Sequence, residues 1–275
     1  MSISGATAPA PLRTPQGLFR VGPPVRVDGR NQMTMDLAPG SGPVSTAALG
    51  VLLDDILGFT LFEHKGSRSG LVSAELSVDF VRPSGWQGRR LTAESRLERL
   101  DADGGLSSVR VVDGAGIPIA TGTAWGNFVD GVEPTRGGAV ADHVEAVDGP
   151  SAPPIELIGG HLERTETGAR LTVPADRSLA NSIGVMHGGI QACAYDLVGS
   201  ALSGSGGSSA MQTSSLRINF FRPVTLDRPA VFDAEVVRAG RRVSVVQVTG
   251  RDGVGRTCGV ATVTCRRESD ETALD

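Results

Sequence analysis

No apolar run in this chain of 275 residues reaches the ~18 residues that a membrane span needs. The N-terminus also lacks the charged-then-apolar order of a secretory signal. These absences give the expectation of a cytoplasmic protein with no membrane partner. Cysteine is scarce: Cys193, Cys258 and Cys265 are odd in number, sit in apolar contexts and show no metal-ligand spacing. They read as reduced thiols, which argues against a disulfide framework, redox chemistry and zinc. Positive charge is not in excess, with 26 Lys and Arg against 30 Asp and Glu and a formal net charge of −4. The basic residues are scattered, so nucleic acid is not an expected partner. Aromatic residues make up 4% of the chain, little material for a stacked aryl pocket. Neither a ligand cluster nor a nucleotide-binding glycine loop is visible, so no metal and no cofactor is expected.

The chain is 40% hydrophobic, enough for a large core, and that material is organised twice over. Leu76-Ser-Val-Asp-Phe-Val-Arg-Pro83 lies 140 positions before Leu216-Arg-Ile-Asn-Phe-Phe-Arg-Pro223, in register, which is an internal repeat. Upstream of each copy stands an apolar segment of helical length that carries an acid. One spans residues 45–60 and contains Asp54 and Asp55; the other spans 187–203 and contains Asp196. Matching Asp55-Ile-Leu-Gly to Asp196-Leu-Val-Gly pairs Asp55 with Asp196. Downstream of each Arg-Pro come period-two runs, such as those from Arg90, Ala230 and Val243, which read as antiparallel strands with one buried face. The expected organisation is a loose arm over 1–24, a first repeat over 25–129, a linker over 130–154, a second repeat over 155–268 and a tail over 269–275.

The most informative stretch is Asn181-Ser-Ile-Gly-Val-Met-His187-Gly-Gly, which opens the second helix nine residues before Asp196. A Gly pair at a helix start lets a ligand approach the free N–H groups of the first turn, which suit an oxyanion. Nine residues of helix span about 13.5 Å, so His187 and Asp196 cannot serve one reacting atom from the same helix. A second helix has to supply the acid. In the first segment only one of the adjacent residues Asp54 and Asp55 is expected to face the site, and Asp55 is preferred.

One long apolar helix followed by an alternating antiparallel sheet, given twice, resembles the hotdog fold in its tandem form: α+β, each repeat a central helix wrapped by a sheet. The motif Asn181, His187-Gly188-Gly189 and Asp196 resembles the PaaI-type acyl-CoA thioesterases. The fold resemblance covers about residues 25–268, the motif only the second half. It implies that Asn181, His187 and Gly188 bind the thioester, while the opposite repeat supplies a helix carboxylate and a hydroxyl at the start of the long strand. Those are Asp55 and Ser73 in the first repeat and Asp196 and Thr213 in the second, with Ser214 as the alternative to Thr213. Gly189, Arg82 and Arg222 are the candidates for contact with coenzyme A, which is substrate rather than cofactor.

The first repeat has Ser45 or Thr46 opposite His187, and Pro39 or Gly40 opposite Asn181. One working site per chain is therefore expected, joining Asp55 and Ser73 to Asn181, His187 and Gly188. Each residue has a plainer reading: His187 as a structural hydrogen-bonder, Ser73 and Thr213 as ordinary strand residues, Asp196 as a relic, and Arg82 and Arg222 as strand-end anchors. His64, His143 and His161 sit in polar, loop-like contexts and carry no assignment. Two other functions stay open, a non-catalytic acyl-CoA sensor and a hotdog hydratase or dehydratase. The acyl group is not legible, and either a homo-oligomer of double hotdogs or a monomer is expected.

Overall fold

In the computed structural model, which describes residues 13–37, 45–131, 152–203 and 211–267, the two sequence halves build the same series of elements. The first half gives a short helix α1 (Pro15–Phe19), strands β1 (Val25–Val27) and β2 (Arg30–Asp36), and a 3-10 turn at Thr46–Ala48 that runs into helix α2 (Leu49–Phe62). Strands β3 (Gly70–Phe80), β4 (Arg90–Leu100), β5 (Gly104–Val112) and β6 (Pro118–Val129) follow. The second half repeats this with α3 (Pro154–Leu157), β7 (His161–Arg164), β8 (Gly168–Val173), a 3-10 turn at Arg177–Leu179 and helix α4 (Gly188–Ala201). It closes with β9 (Met211–Phe220), β10 (Ala230–Ala239), β11 (Val243–Arg251) and β12 (Thr257–Arg267).

All twelve strands belong to one sheet, in the order β1-β2-β4-β5-β6-β3-β9-β12-β11-β10-β8-β7. The two halves mirror each other and meet at β3 and β9. Across that seam Leu76 pairs with Ile218, Ser77 with Arg217 and Val78 with Leu216. Ser77 and Arg217 are themselves 140 positions apart, so the pair is its own repeat equivalent and the approximate two-fold axis passes through it. The pairing occupies edges that would otherwise leave unsatisfied backbone groups on each half.

Inside the sheet lie α2 and α4. Leu49, Val51, Leu52, Leu53, Ile56 and Leu57 are all fully buried, as are Ile190, Cys193, Tyr195 and Val198. A helix apolar on nearly every side has to be enclosed, and the sheet encloses both. From the 3-10 turn along α2, Thr46, Gly50 and Asp54 meet Asp196, Cys193 and Gly188 in turn, so the helices run antiparallel. Their backbones nearly touch: a Cβ on Gly50 would lie 2.4 Å from the Gly189 carbonyl oxygen, and one on Gly189 would lie 2.5 Å from Val51 Cα. Only glycine permits that approach. The three cysteines are free and buried, matching the reading of reduced thiols.

The loose arm expected over 1–24 is folded from Thr14 onward. Thr14 Oγ1 accepts from the Gly17 N–H, Pro15 fixes the first helical position, and Arg20 ends α1 in a left-handed turn at φ 56. Beyond it Gly22 N–H donates to the Thr34 carbonyl, while Phe19 anchors the helix at 2% exposure. The N-cap and N-terminal proline explain how five residues hold a helix that would melt alone. Residues 1–12, most of the expected linker (132–151), the tail, and His143, Pro39 and Gly40 lie outside the described residues.

Candidate active site

The N-terminus of α4 points at the middle of α2. His187 is the N-cap, and its Nδ1 lies 3.0 Å from the Gly189 nitrogen. The Gly189 N–H also donates to Asp54 Oδ2 at 2.9 Å, and Ser73 Oγ donates to Asp54 Oδ1 at 2.9 Å. A Cβ on residue 188 would fall 2.7 Å from Asp54 Oδ2, so Gly188 is what lets the carboxylate reach the helix end. Asp55 turns to the other ring nitrogen, with its Oδ1 2.9 Å from His187 Nε2.

This corrects two expectations. Ser73 pairs with Asp54, not with Asp55. Moreover the adjacent acids do not divide between site and solvent: both are largely buried, at 11% and 13% side-chain exposure, and they take opposite edges of one imidazole. The helix start is close enough for successive α2 side chains to straddle it, which a helical-wheel argument for an isolated helix does not capture. Nor does Gly189 stand free for coenzyme A, since its N–H is taken by Asp54 and His187.

Charge follows from this packing. Burial pushes Asp54 above the ordinary carboxylate range, aided by Asp55 and opposed by His187, Ser73 and the Gly189 N–H. Burial works against a charge on His187, but Asp55 and Asp54 outweigh it and raise the imidazole to about 9. At neutral pH the ring is then an imidazolium, with Nε2–H donating to Asp55 and Nδ1–H facing Asp54 at 3.3 Å.

Sequence reasoning missed one participant. Gln16 of α1 donates from Nε2 to both Asp55 oxygens, at 3.1 and 3.3 Å, and that nitrogen lies 3.4 Å from His187 Nε2. Its only sequence signals are Thr14-Pro15, a helix-start pair, and the apolar Phe19 behind it.

Asn181 acts in the loop that leads into His187: its Oδ1 accepts from the Ile183 and Val185 N–H groups at 3.1 and 3.2 Å. Asp196 is brought together with Thr213 and Thr46, whose hydroxyls each donate to it at 2.5 Å. It is 1% exposed, burial pushes it above the usual carboxylate range, and it borders a cavity lined by Ala47, Leu53 and Leu216 among others. Ser214, the alternative hydroxyl, donates instead to the Thr264 carbonyl. The shared hydroxyl partner makes Asp54, not Asp55, the counterpart of Asp196. Arg82 and Arg222 follow the C-terminal ends of β3 and β9, opposite the ends that carry Ser73 and Thr213; Arg222 donates to the Thr257 carbonyl at 2.9 Å.

Comparison with known proteins agrees with this architecture. Residues 183–259 match the family model described as "Thioesterase superfamily". A Saccharolobus solfataricus protein described as a "putative esterase" is 31% identical over 123 residues, which cover 43% of this chain and 81% of that protein. Among solved structures, an acyl-CoA thioesterase II of Mycobacterium marinum superposes with a TM-score of 0.64 at 11% identity, covering 95% of this chain and 99% of the other. A hot dog fold protein of Alicyclobacillus acidocaldarius gives 0.60 at 13% identity, covering 94% and 98%. With a relative above 30% identity matched along most of its length, and a sheet that encloses two antiparallel helices in one continuous layer, the chain belongs to the thioesterase superfamily and has the double hotdog fold.

Proposed function

We propose that this protein hydrolyses acyl-CoA thioesters at one composite site, with Asp54 and Ser73 from the first repeat and His187, Gly188 and Gly189 from the second. The observation that carries the reading is a buried carboxylate held against a helix N-terminus by Ser73 Oγ and the Gly189 N–H. Attack on a thioester carbonyl places negative charge on oxygen. The Gly188 N–H at the start of α4 supplies a donor, and the helix end a favourable dipole, for that charge. The imidazolium of His187 adds a full positive charge beside it. Asp54, poised above the ordinary carboxylate range, activates water as a general base or attacks to give a mixed anhydride that water resolves. Asp55 keeps His187 charged, and Asn181 shapes the loop that presents it. The neighbour from Mycobacterium marinum, described as an acyl-CoA thioesterase, supports coenzyme A as the thiol half of the substrate.

The test is thiol release from a panel of acyl-CoAs, which separates hydrolysis from the binding-only reading. Asp54→Asn is expected to lower kcat at least ~100-fold, about 3 kcal/mol of transition-state stabilisation. Asp196→Asn is expected to keep most activity. The pH profile of the native enzyme should rise as Asp54 loses its proton, above the ordinary carboxylate range, and fall as His187 loses its own near 9. Saturable acyl-CoA binding with no thiol released by any member of the panel rejects the reading.

A further inference from the structure

The two half-sites differ in a correlated way. Between Asp54 with Ser73 and Asp196 with Thr213 the acid and its hydroxyl are retained. The side chains around His187 are not. Helix α3 is the repeat counterpart of α1, with Pro154 for Pro15 and buried Ile158 for buried Phe19, which sets Ile155 opposite Gln16. With Asp54 matched to Asp196, the counterpart of Asp55 is Leu197, and Thr46 stands where the other acid meets the α4 N-terminus. Gln16, Asp55 and His187 are thus replaced together by Ile155, Leu197 and Thr46, while the Asp and hydroxyl pair stays.

We infer that Gln16 is a positioning residue of the site, the third member of a Gln16–Asp55–His187 chain that holds the imidazole beside Asp54. Groups that are exchanged as a set act as a set, and the hydrogen bonds show how. Both Asp55 oxygens receive the Gln16 amide, which fixes the plane of the carboxylate and leaves Oδ1 aimed at His187 Nε2. The ring so held presents Nδ1 to Asp54 and to the α4 N-terminus. Helix α1 is built to deliver that amide, capped by Thr14, started by Pro15, anchored by Phe19 and turned back through Arg20. A polar side chain directed inward from a five-residue helix has little other use, because in the second repeat the same position is filled by an apolar one.

The role in turnover rests on the thioesterase reading; the role in holding His187 does not. The decisive variant is Gln16→Met, close in size but without a donor, with Gln16→Ala beside it and thermal melts to confirm that α1 remains docked. Two readouts are taken: kcat and KM for thiol release, and the His187 titration midpoint by imidazole NMR. Loss of a hydrogen bond to a charged group is expected to lower kcat about ten- to hundred-fold with KM within about three-fold. The His187 midpoint is expected to fall from near 9 towards the ordinary histidine range as Asp55 swings away. Unchanged kcat, a change confined to KM, or an unmoved His187 midpoint in the docked Met variant overturns the proposal. If the native protein releases thiol from no acyl-CoA, the functional reading falls and the His187 midpoint alone decides the role of Gln16.

Discussion

Burial pushes both Asp54 and Asp196 above the ordinary carboxylate range, but only Asp54 faces a cation. Asp54 lies beside the His187 imidazolium and the N-terminus of α4. Among the described residues, Asp196 accepts from the hydroxyls of Thr46 and Thr213. Its pKa is raised by burial, so the folded state binds its proton more tightly than the unfolded chain does. That contribution to stability is fully present below the unfolded value of ~3.9 and is lost as pH rises through the folded one. Asn cannot ionise and can still accept from one threonine and donate to the other. Asp196→Asn is therefore expected to leave the melting temperature little changed in acid and to exceed the native protein increasingly as pH rises, in melts between about pH 4 and 9. A variant that falls further behind as pH rises contradicts this. The exchange of Asp55 for Asp54 as the partner of Ser73 shows what sequence could resolve. Asp-Asp followed by Ile-Leu-Gly matches Asp-Leu-Val-Gly in only one gapless way, and it takes side-chain contacts to show that the gapless match is off by one.

At the scale of elements, the sequence was most legible where periodicity is strict. The β3 and β9 copies, the apolar α2 and α4 and the His-Gly-Gly start of α4 follow from alternation, from an unbroken apolar face and from the glycine pair. Helix α1 was not legible because five residues carry no period, and its stability comes from a cap and from Phe19 in a core built by distant strands. The glycines at the helix crossing were read as ligand access, but what both of them admit is α2. Gly188 makes room for Asp54, whereas Gly189 makes room for α2 itself. Gly50 does the same from the opposite side. Gly50→Ala places a methyl group 2.4 Å from a main-chain carbonyl oxygen that cannot rotate away, so the helices must separate. The expected cost is about 1–3 kcal/mol of folding stability by chemical denaturation, the range of core overpacking. The same separation pulls Gly188 and His187 away from Asp54, so kcat should fall along with stability. Gly29→Ala, in an open turn with nothing near its Cβ but a φ of +79, offers a contrast in which stability falls through backbone strain and kcat does not.

At the scale of the molecule, two copies of one repeat meet at β3 and β9 and differ across the helix pair. Each site draws its acid and hydroxyl from one repeat and its helix N-terminus from the other, so a change in one repeat affects both sites differently. Asp196 meets Thr46 where Asp54 meets His187, so under the proposed function only the Asp54 site keeps the imidazole. Burial completes the asymmetry. Asp196 is 1% exposed, held by Thr46 and Thr213 beside a small cavity between the helices and the sheet, whereas the Asp54 side chain is 11% exposed. Calorimetric titration of the Asp54→Asn variant with an acyl-CoA that it no longer turns over is accordingly expected to saturate at one ligand per chain. Adding Asp196→Asn should change neither the stoichiometry nor the affinity. Saturation at two per chain would mean that the second half-site still admits the thioester. Divergence would then have removed its chemistry but not its binding, since a missing imidazole abolishes charge stabilisation more readily than it closes a pocket.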